Sequence, residues 1–335
     1  MRVFVTGGTG LLGRHVIRRL RERHDEVLAL SRSDAASRAL EGMGAAVLRG
    51  DLREPADLER GVAACDATVH AAAMVSDRAD WLAYHTANVA PTAAVAAAAA
   101  RFGKRLVHMS SVAAYGRAET YDGGAGSVSE DFGLDRRVSP GDYYARSKRE
   151  AELELWRVAA STGLSAVALR PCVIYGEWDR QFSPRVAAAL RTTRGFAPVV
   201  GAGTNVMSVV YAGNVAAAVL AALDRAAVTG PFNVANDGGI TLRAFYERFA
   251  AGLGVSLRLV HVPPWLAWGG ARVVDAAFRL ARPRGPMALL KGAVQFLAND
   301  NPYTSARAER ELGWRPPVSP EEAVERTGRA LRTSH

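Results

Sequence analysis

The sequence predicts an α/β fold, a doubly wound parallel sheet with a smaller C-terminal lobe, and three observations predict it. Short apolar runs alternate with helix-like stretches through the first half of the 335 residues, the pattern of strands joined by crossover helices. A glycine turn, Thr6-Gly7-Gly8-Thr9-Gly10-Leu11-Leu12-Gly13, separates the first apolar run from the first amphipathic stretch. Apolar residues make up 49% of the chain and no long low-complexity tract interrupts it, so a large core can form.

The elements follow in order. Strands are expected at Arg2–Thr6, Glu26–Ser31, Ala46–Arg49, Ala67–His70, Arg105–Ser110 and Ala166–Arg170, each a short apolar run closed by turn residues. Helices are expected between them at Leu11–Arg23, Ala35–Met43, Pro55–Ala63, Thr86–Phe102 and Tyr143–Ser161. Ala93–Ala100, nearly all alanine, has high helix propensity and permits close packing. After Arg170 the alternation weakens; Asn214–Arg225 reads as a helix and Pro231–Ala235 as a strand returning to the sheet. The expected division is residues 1–170 together with 208–235 as one domain, and 171–207 with 236–335 as the smaller lobe. A helix over Trp265–Leu280 follows Pro263-Pro264, and its apolar face of Trp265, Leu266, Val273, Val274 and Phe278 is read as core in preference to a membrane contact.

Charge narrows the function class. The formal net charge is +9, but 42 Lys and Arg are interleaved with 33 Asp and Glu, and no basic cluster accompanies a nucleic-acid motif, so nucleic acid is not an expected partner. A positive field also suits a phosphorylated cofactor or anionic lipid headgroups. Cys65 and Cys172 cannot build a disulfide framework, and no His and Cys group has metal-ligand spacing, so no metal is expected and a reducing cytoplasm is the expected location. Val3-Phe4-Val5 is too short for a signal peptide and is expected to belong to the fold. The nearest approach to a membrane span is broken by Arg272, Asp275 and Arg279.

At the glycine turn, Gly7, Gly10 and Gly13 allow a tight turn, backbone approach to a pyrophosphate and close helix packing, while Thr9, Leu11 and Leu12 bring the helix N-terminus to the anion. The strand before and the helix after raise this above a chance glycine pattern. The second strand ends in Ser31-Arg32-Ser33, where an acid would select NAD. Arg32 instead suits a 2′-phosphate, with Ser31 or Ser33 donating hydrogen bonds, so NADP(H) is preferred and NAD(H) is the alternative. Asp51-Leu52 is placed near the adenine, with a turn or cap as the other reading of Asp51. Ala71-Ala72-Ala73 is the expected small-residue wall on the nicotinamide side.

Tyr144 and Lys148 stand four residues apart, which on a helix puts phenol and ammonium on one face. A free tyrosine titrates at about 10 and needs a nearby cation to exchange its proton near neutrality. Lys148 supplies that field and holds the nicotinamide ribose; Tyr144 moves the proton. Tyr143, five residues from Lys148, points off the shared face. Ser110-Ser111 closes an apolar strand, and Ser111 can bind a carbonyl oxygen.

With these motifs in order, the chain resembles the extended short-chain dehydrogenase/reductases, a superfamily that includes nucleotide-sugar epimerases and 3β-hydroxysteroid dehydrogenase-like enzymes. Its marks are Thr6–Gly13, Asp51-Leu52, Val69–Ala73, Asn88-Val89, Ser110-Ser111 with Tyr115-Gly116, Tyr144–Lys148 and Leu169-Arg170-Pro171 with Tyr175-Gly176. The resemblance implies a Rossmann-type sheet, Ser111 as the catalytic serine with Tyr144 and Lys148, and Asn88 as a structural or water-organising residue. It adds Ser110, Pro171 and Val173 to the cofactor side and implies a homodimer through the helices at 86–102 and 143–161.

Two departures choose a substrate. Sugar-nucleotide enzymes of this type carry an asparagine where Val173 stands and an arginine where Met207 stands. Apolar groups there remove what a charged ligand requires, so an apolar ketone or alcohol, steroid-like or long-chain β-keto, is expected. The segments Gly201–Asn205, Val209–Val215, Val262–Leu266 and Ala308–Trp314 with Pro316 are similar to the 3β-hydroxysteroid dehydrogenase-like branch. Met74, Val75, Ser111, Tyr115, Cys172, Trp178, Phe182 and Met207 are the expected substrate contacts. The alternatives are a nucleotide-sugar epimerase, dehydratase or 4-ketoreductase, which would recruit Arg180, Arg185 or Arg243, and a non-catalytic NADP-binding sensor or scaffold.

Overall fold

The computed structural model describes residues 1–76, 79–116, 128–134, 138, 141–270, 294 and 296–333. Its centre is a seven-stranded parallel sheet. In chain order the first strands are β1 (Arg2–Thr6), β2 (Glu26–Ser31), β3 (Ala46–Arg49), β4 (Ala67–His70), β5 (Arg105–Met109) and β6 (Ala166–Pro171). The spatial order runs β3, β2, β1, β4, β5, β6 and then Gly230–Val234, a doubly wound sheet whose direction of winding reverses between β1 and β4. Residues Val3, Val5, Val69 and Val107 are fully buried, as strands covered by helices on both faces require.

The helices α1 (Leu11–Glu22), α2 (Asp34–Glu41), α3 (Pro55–Ala63), α4 (Trp81–Tyr84), α5 (Ala90–Arg101) and α6 (Tyr143–Thr162) make the crossovers. The expected helix over 86–102 starts earlier, at Trp81, and widens into a π-helical turn at His85–Val89. Pro91 explains the break, because it lacks the N–H that would continue regular pairing. β5 ends at Met109, one residue before the expected end, as Ser110 and Ser111 lead out of the sheet.

Beyond β6 come β7 (Val173–Tyr175), α7 (Phe182–Thr192), β8 (Phe196–Val200), β9 (Val209–Tyr211), α8 (Ala212–Asp224), β10 (Gly230–Val234), α9 (Leu242–Leu253), β11 (Arg258–Val262) and α10 (Pro320–Arg332). β10 pairs with β6 and extends the large sheet, with Phe232 opposite Leu169. β8 pairs with β11, and β7 with β9. The aromatic residues Tyr175, Tyr211, Phe245 and Phe249 centre a separate apolar cluster of this C-terminal part. The helix expected over 265–280 is present from Pro264 to Gly270; its remainder, with Val273, Val274 and Phe278, lies outside the described residues. Trp265 and Leu266 on it are exposed and not core as expected. Among the described residues, no helix is long and apolar enough to cross a membrane.

Candidate active site

A cavity of about 790 Å³ opens at the carboxyl ends of β1, β4, β5 and β6, beside the reversal of winding where open α/β sheets bind ligands. Gly7, Thr9, Gly10, Leu11, Leu12 and Gly13 line one end. Gly7 has φ +72° and approaches the segment after β4 so closely that a Cβ would lie 2.6 Å from the Ala72 nitrogen. At Gly13 a Cβ would collide with the Gly7 carbonyl. Gly10 caps α1 without any side-chain hydrogen bond, which leaves the first N–H groups of the helix directed at the cavity, the arrangement that binds a phosphate. These features fit a dinucleotide, held by the glycine turn and the α1 N-terminus.

The adenosine side departs from expectation. Ser31 is buried and donates its hydroxyl proton to the Ser33 carbonyl at 3.1 Å, so it has no proton for a 2′-phosphate. Ser33 accepts from Ala36 N and caps α2, which leaves its own proton available. Arg32 is exposed, and among the described residues no hydrogen bond or ion pair holds its guanidinium. Neither Asp51 nor Leu52 lines the cavity. Arg53 grips Asp51 at 2.7 Å and holds its carboxyl down at about 2, while Leu52 packs against the core. Asp51 is thus first a turn residue.

At the other end, Ser110, Ser111, Tyr144 and Lys148 all line the cavity. Asp142 caps α6 by accepting from Ala145 N at 3.1 Å, and the first two turns of that helix carry Tyr144 and Lys148. Ser111 Oγ accepts from Ala113 N at 3.1 Å and donates to the Pro171 carbonyl at 3.4 Å; burial raises the Tyr144 pKa above the ordinary value, and the Ser111 hydroxyl beside the phenol opposes that rise. Lys148 is 4% exposed and donates to the Met109 carbonyl at 2.8 Å. Burial pulls its pKa down to about 8, against the supporting charge of Glu152. Tyr143 instead turns toward Trp81, with ring centroids 6.4 Å apart.

Behind this pair lies a buried polar chain. Glu152, one helical turn beyond Lys148, is fully buried and accepts from Ser110 Oγ at 2.5 Å, Trp156 Nε1 at 2.9 Å and the Arg170 guanidinium at 2.5–3.1 Å. Arg170 also donates to the Tyr115 hydroxyl at 2.7 Å, and that hydroxyl donates to Asn233 Oδ1 at 2.8 Å. Tyr115 therefore stands in the core, not in the substrate cavity as expected, because its hydroxyl has buried partners there. Asn88 does not reach the cavity either. Its amide clamps the Met74 backbone at 2.7 and 3.1 Å and donates to Ser147 Oγ at 2.9 Å, which turns Met74 into a positioned backbone and not a wall residue. Beneath the strand ends, His70 and His108 are buried with centroids 5.6 Å apart. Thr6 Oγ1 accepts from Ala72 N at 3.3 Å and is hydrogen-bonded to His70 Nδ1 at 2.8 Å.

Ala71, Ala73, Val75, Pro171, Cys172, Val173, Trp178 and Phe182 line the cavity between these ends; Ala72 and Met207 do not. Met207 is 2% exposed within the C-terminal apolar cluster. Trp178 holds φ +72°, an unusual conformation for a bulky residue, and packs against His15 with ring centroids 4.8 Å apart. Asp179 secures the same loop by accepting from Gln181 N, Ser183 N and Ser183 Oγ at 2.6–2.8 Å. Phe296, Asn299, Asp300 and Tyr303 also line the cavity; no local motif marks them, since they arrive from a distant part of the chain. Glu152 did leave a signal, a carboxylate four residues after Lys148 on the same helix.

The NAD dependent epimerase/dehydratase family matches residues 3–235. A 4-hydroxy-2-methyl-3-oxo-4-farnesyl-3,4-dihydroquinoline-1-oxide ketoreductase of Stigmatella aurantiaca is 33% identical over 94% of this chain and 92% of its own. A 2-alkyl-3-oxoalkanoate reductase of Stenotrophomonas maltophilia is 32% identical over 97% of this chain and 98% of its own. Among solved structures, the UDP-glucose 4-epimerase of Thermus thermophilus in complex with NAD superposes with a TM-score of 0.72 at 23% identity, covering 100% of both chains, a likeness of fold. With the glycine turn, the parallel sheet and the matched span in agreement, the chain belongs to the NAD dependent epimerase/dehydratase family.

Proposed function

We propose that the protein is an NADP(H)-dependent oxidoreductase that interconverts an apolar ketone and its secondary alcohol. The observation that carries this reading is that Ser111, Tyr144 and the buried Lys148, one turn on along the same helix, line one cavity with the glycine turn. The nicotinamide, when bound, supplies or accepts the hydride. In the reductive direction the Ser111 hydroxyl turns from its long 3.4 Å bond to the Pro171 carbonyl to donate to the ketone oxygen, and Tyr144, kept protonated by burial, gives that oxygen its proton as the carbonyl carbon gains hydride. The products are the secondary alcohol and NADP⁺, and the deprotonated phenol is stabilised by the Lys148 ammonium.

Val75, Val173, Trp178 and Phe182 supply apolar wall, and the two relatives above are named for ketone reduction. Free Arg32 at the end of β2 supports NADP(H) over NAD(H). The same reading pairs two copies through α5 and α6, where Leu153 is 48% exposed. The test is Tyr144→Phe, assayed with NADPH and a panel of long-chain ketones. Turnover should fall roughly 100-fold or more, with NADPH affinity within about twofold since the phenol bears on the proton and not the phosphates. Retained turnover would remove Tyr144 from the mechanism.

A further inference from the structure

The C-terminal lobe carries an apolar outer face remote in character from the cavity. β8 and β11 pair with Phe196 opposite Arg258, Pro198 opposite Val260 and Val200 opposite Val262. Ala197 and Val199 alternate with these and are buried in the lobe cluster, so the register turns Phe196, Pro198 and Val260 outward. Phe196 is 45% and Val260 44% exposed. The helical turn begun by Pro264 continues this face, since Pro264 Cγ lies 3.8 Å from the Cβ position of Gly201 at the end of β8. Trp265 on that turn is 74% exposed and Leu266 50%. Single exposed apolar residues need no explanation, but a contiguous patch of large ones does.

The charged side chains on the strands and the turn themselves are basic. Residues 193–200 and 254–270, which hold both strands and the turn, contain Arg194 and Arg258 and no Asp or Glu. Arg258 lies over the Phe196 ring at 5.5 Å, and Arg194 is exposed two residues before Phe196. Tryptophan and phenylalanine beside arginine match the boundary between acyl chains and phosphate headgroups.

We propose that this face docks on the surface of an anionic phospholipid bilayer, with Trp265, Leu266, Val260 and Phe196 entering the acyl boundary and Arg194 and Arg258 meeting phosphates. The docking does not depend on the redox reading. The inward side of the same strands packs in the cluster that includes Phe182 and Phe296, two residues of the cavity wall.

The test is co-sedimentation of the full chain with vesicles of phosphatidylcholine alone and of phosphatidylcholine mixed with phosphatidylglycerol. Pelleting should occur with the mixed vesicles, weaken in high salt, and fall roughly tenfold or more in the double variant Trp265→Ser, Val260→Ser. These side chains are exposed, so the variant's thermal midpoint and its turnover on a water-soluble ketone should be unchanged. Arg194→Gln with Arg258→Gln should abolish the preference for the anionic mixture. Absence of pelleting with both vesicles, or a double variant that pellets like the parent, overturns the proposal. So does a parent dimer that the double variant dissociates in sedimentation velocity without lipid, which would assign the face to a second copy of the chain.

Discussion

Replacing Glu152 by glutamine should damage the protein in two measurable ways. In the parent, Glu152 is 0% and Arg170 3% exposed at the side chain, and the carboxylate takes three hydrogen bonds from the guanidinium. The substitution keeps the size and some of the bonds to Ser110 and Trp156, but leaves the Arg170 cation buried without its counter-charge. Breaking one partner of such a pair costs about 3–5 kcal/mol. At about 2 °C per kcal/mol for a chain of this size, the thermal midpoint should fall by roughly 6–10 °C. The double variant Glu152→Leu, Arg170→Leu should lose less than Glu152→Leu alone, since no orphaned charge remains. Glu152 also favours the ammonium form of Lys148, so in Glu152→Gln the alkaline limb of the pH–rate profile should move to lower pH. Calorimetry on the single and double variants with a pH–rate series checks both parts. A midpoint within about 2 °C of the parent for the single variant, or an unmoved alkaline limb, would refute the account of this chain of buried bonds.

Turnover in the parent should fall as pH rises through about 8, the value to which burial pulls Lys148, because the ammonium that stabilises the phenolate is lost. The contribution of the same group to stability has the opposite sign. Its folded pKa lies below the ordinary value of 10.5, so the unfolded chain binds more protons between these limits and stability rises with pH across them; parallel unfolding and rate measurements separate the two. Arg32→Ala should raise the Kd for NADPH by roughly tenfold, the loss of one charge-assisted contact, and leave NADH within about twofold; equal weakening of both, by fluorescence titration, would reject the cofactor assignment. Gly7→Ala should abolish binding of either dinucleotide, since its Cβ would stand 2.6 Å from the Ala72 nitrogen, and equilibrium dialysis checks it.

The large sheet was legible because its strands are short apolar runs with turns at each end, and Val27–Leu30 or Val107 alternate with helical stretches that no other fold class explains. The pairing of Tyr144 with Lys148 was legible for the same reason: helical spacing alone sets their common face. Residues whose role depends on distant partners were not. Tyr115 reads as a wall residue until Arg170 and Asn233 are seen to claim its hydroxyl, and Ser31 reads as a phosphate donor until its proton is found committed to Ser33. Met207 is apolar in a loop-rich stretch and nothing local says that it faces the lobe core. The far wall, Phe296 to Tyr303, is joined to the cavity only by tertiary packing.

Gly10 leaves the opening turn of α1 unfinished by any side chain. A helix in that condition rests on water when alone and on its visitor when occupied, so the dinucleotide would act as a removable end-piece of the scaffold itself. At a hundred times its Kd such a visitor adds about 2.7 kcal/mol to the folded state. The stability of the fold would then rise and fall with the supply of the coenzyme.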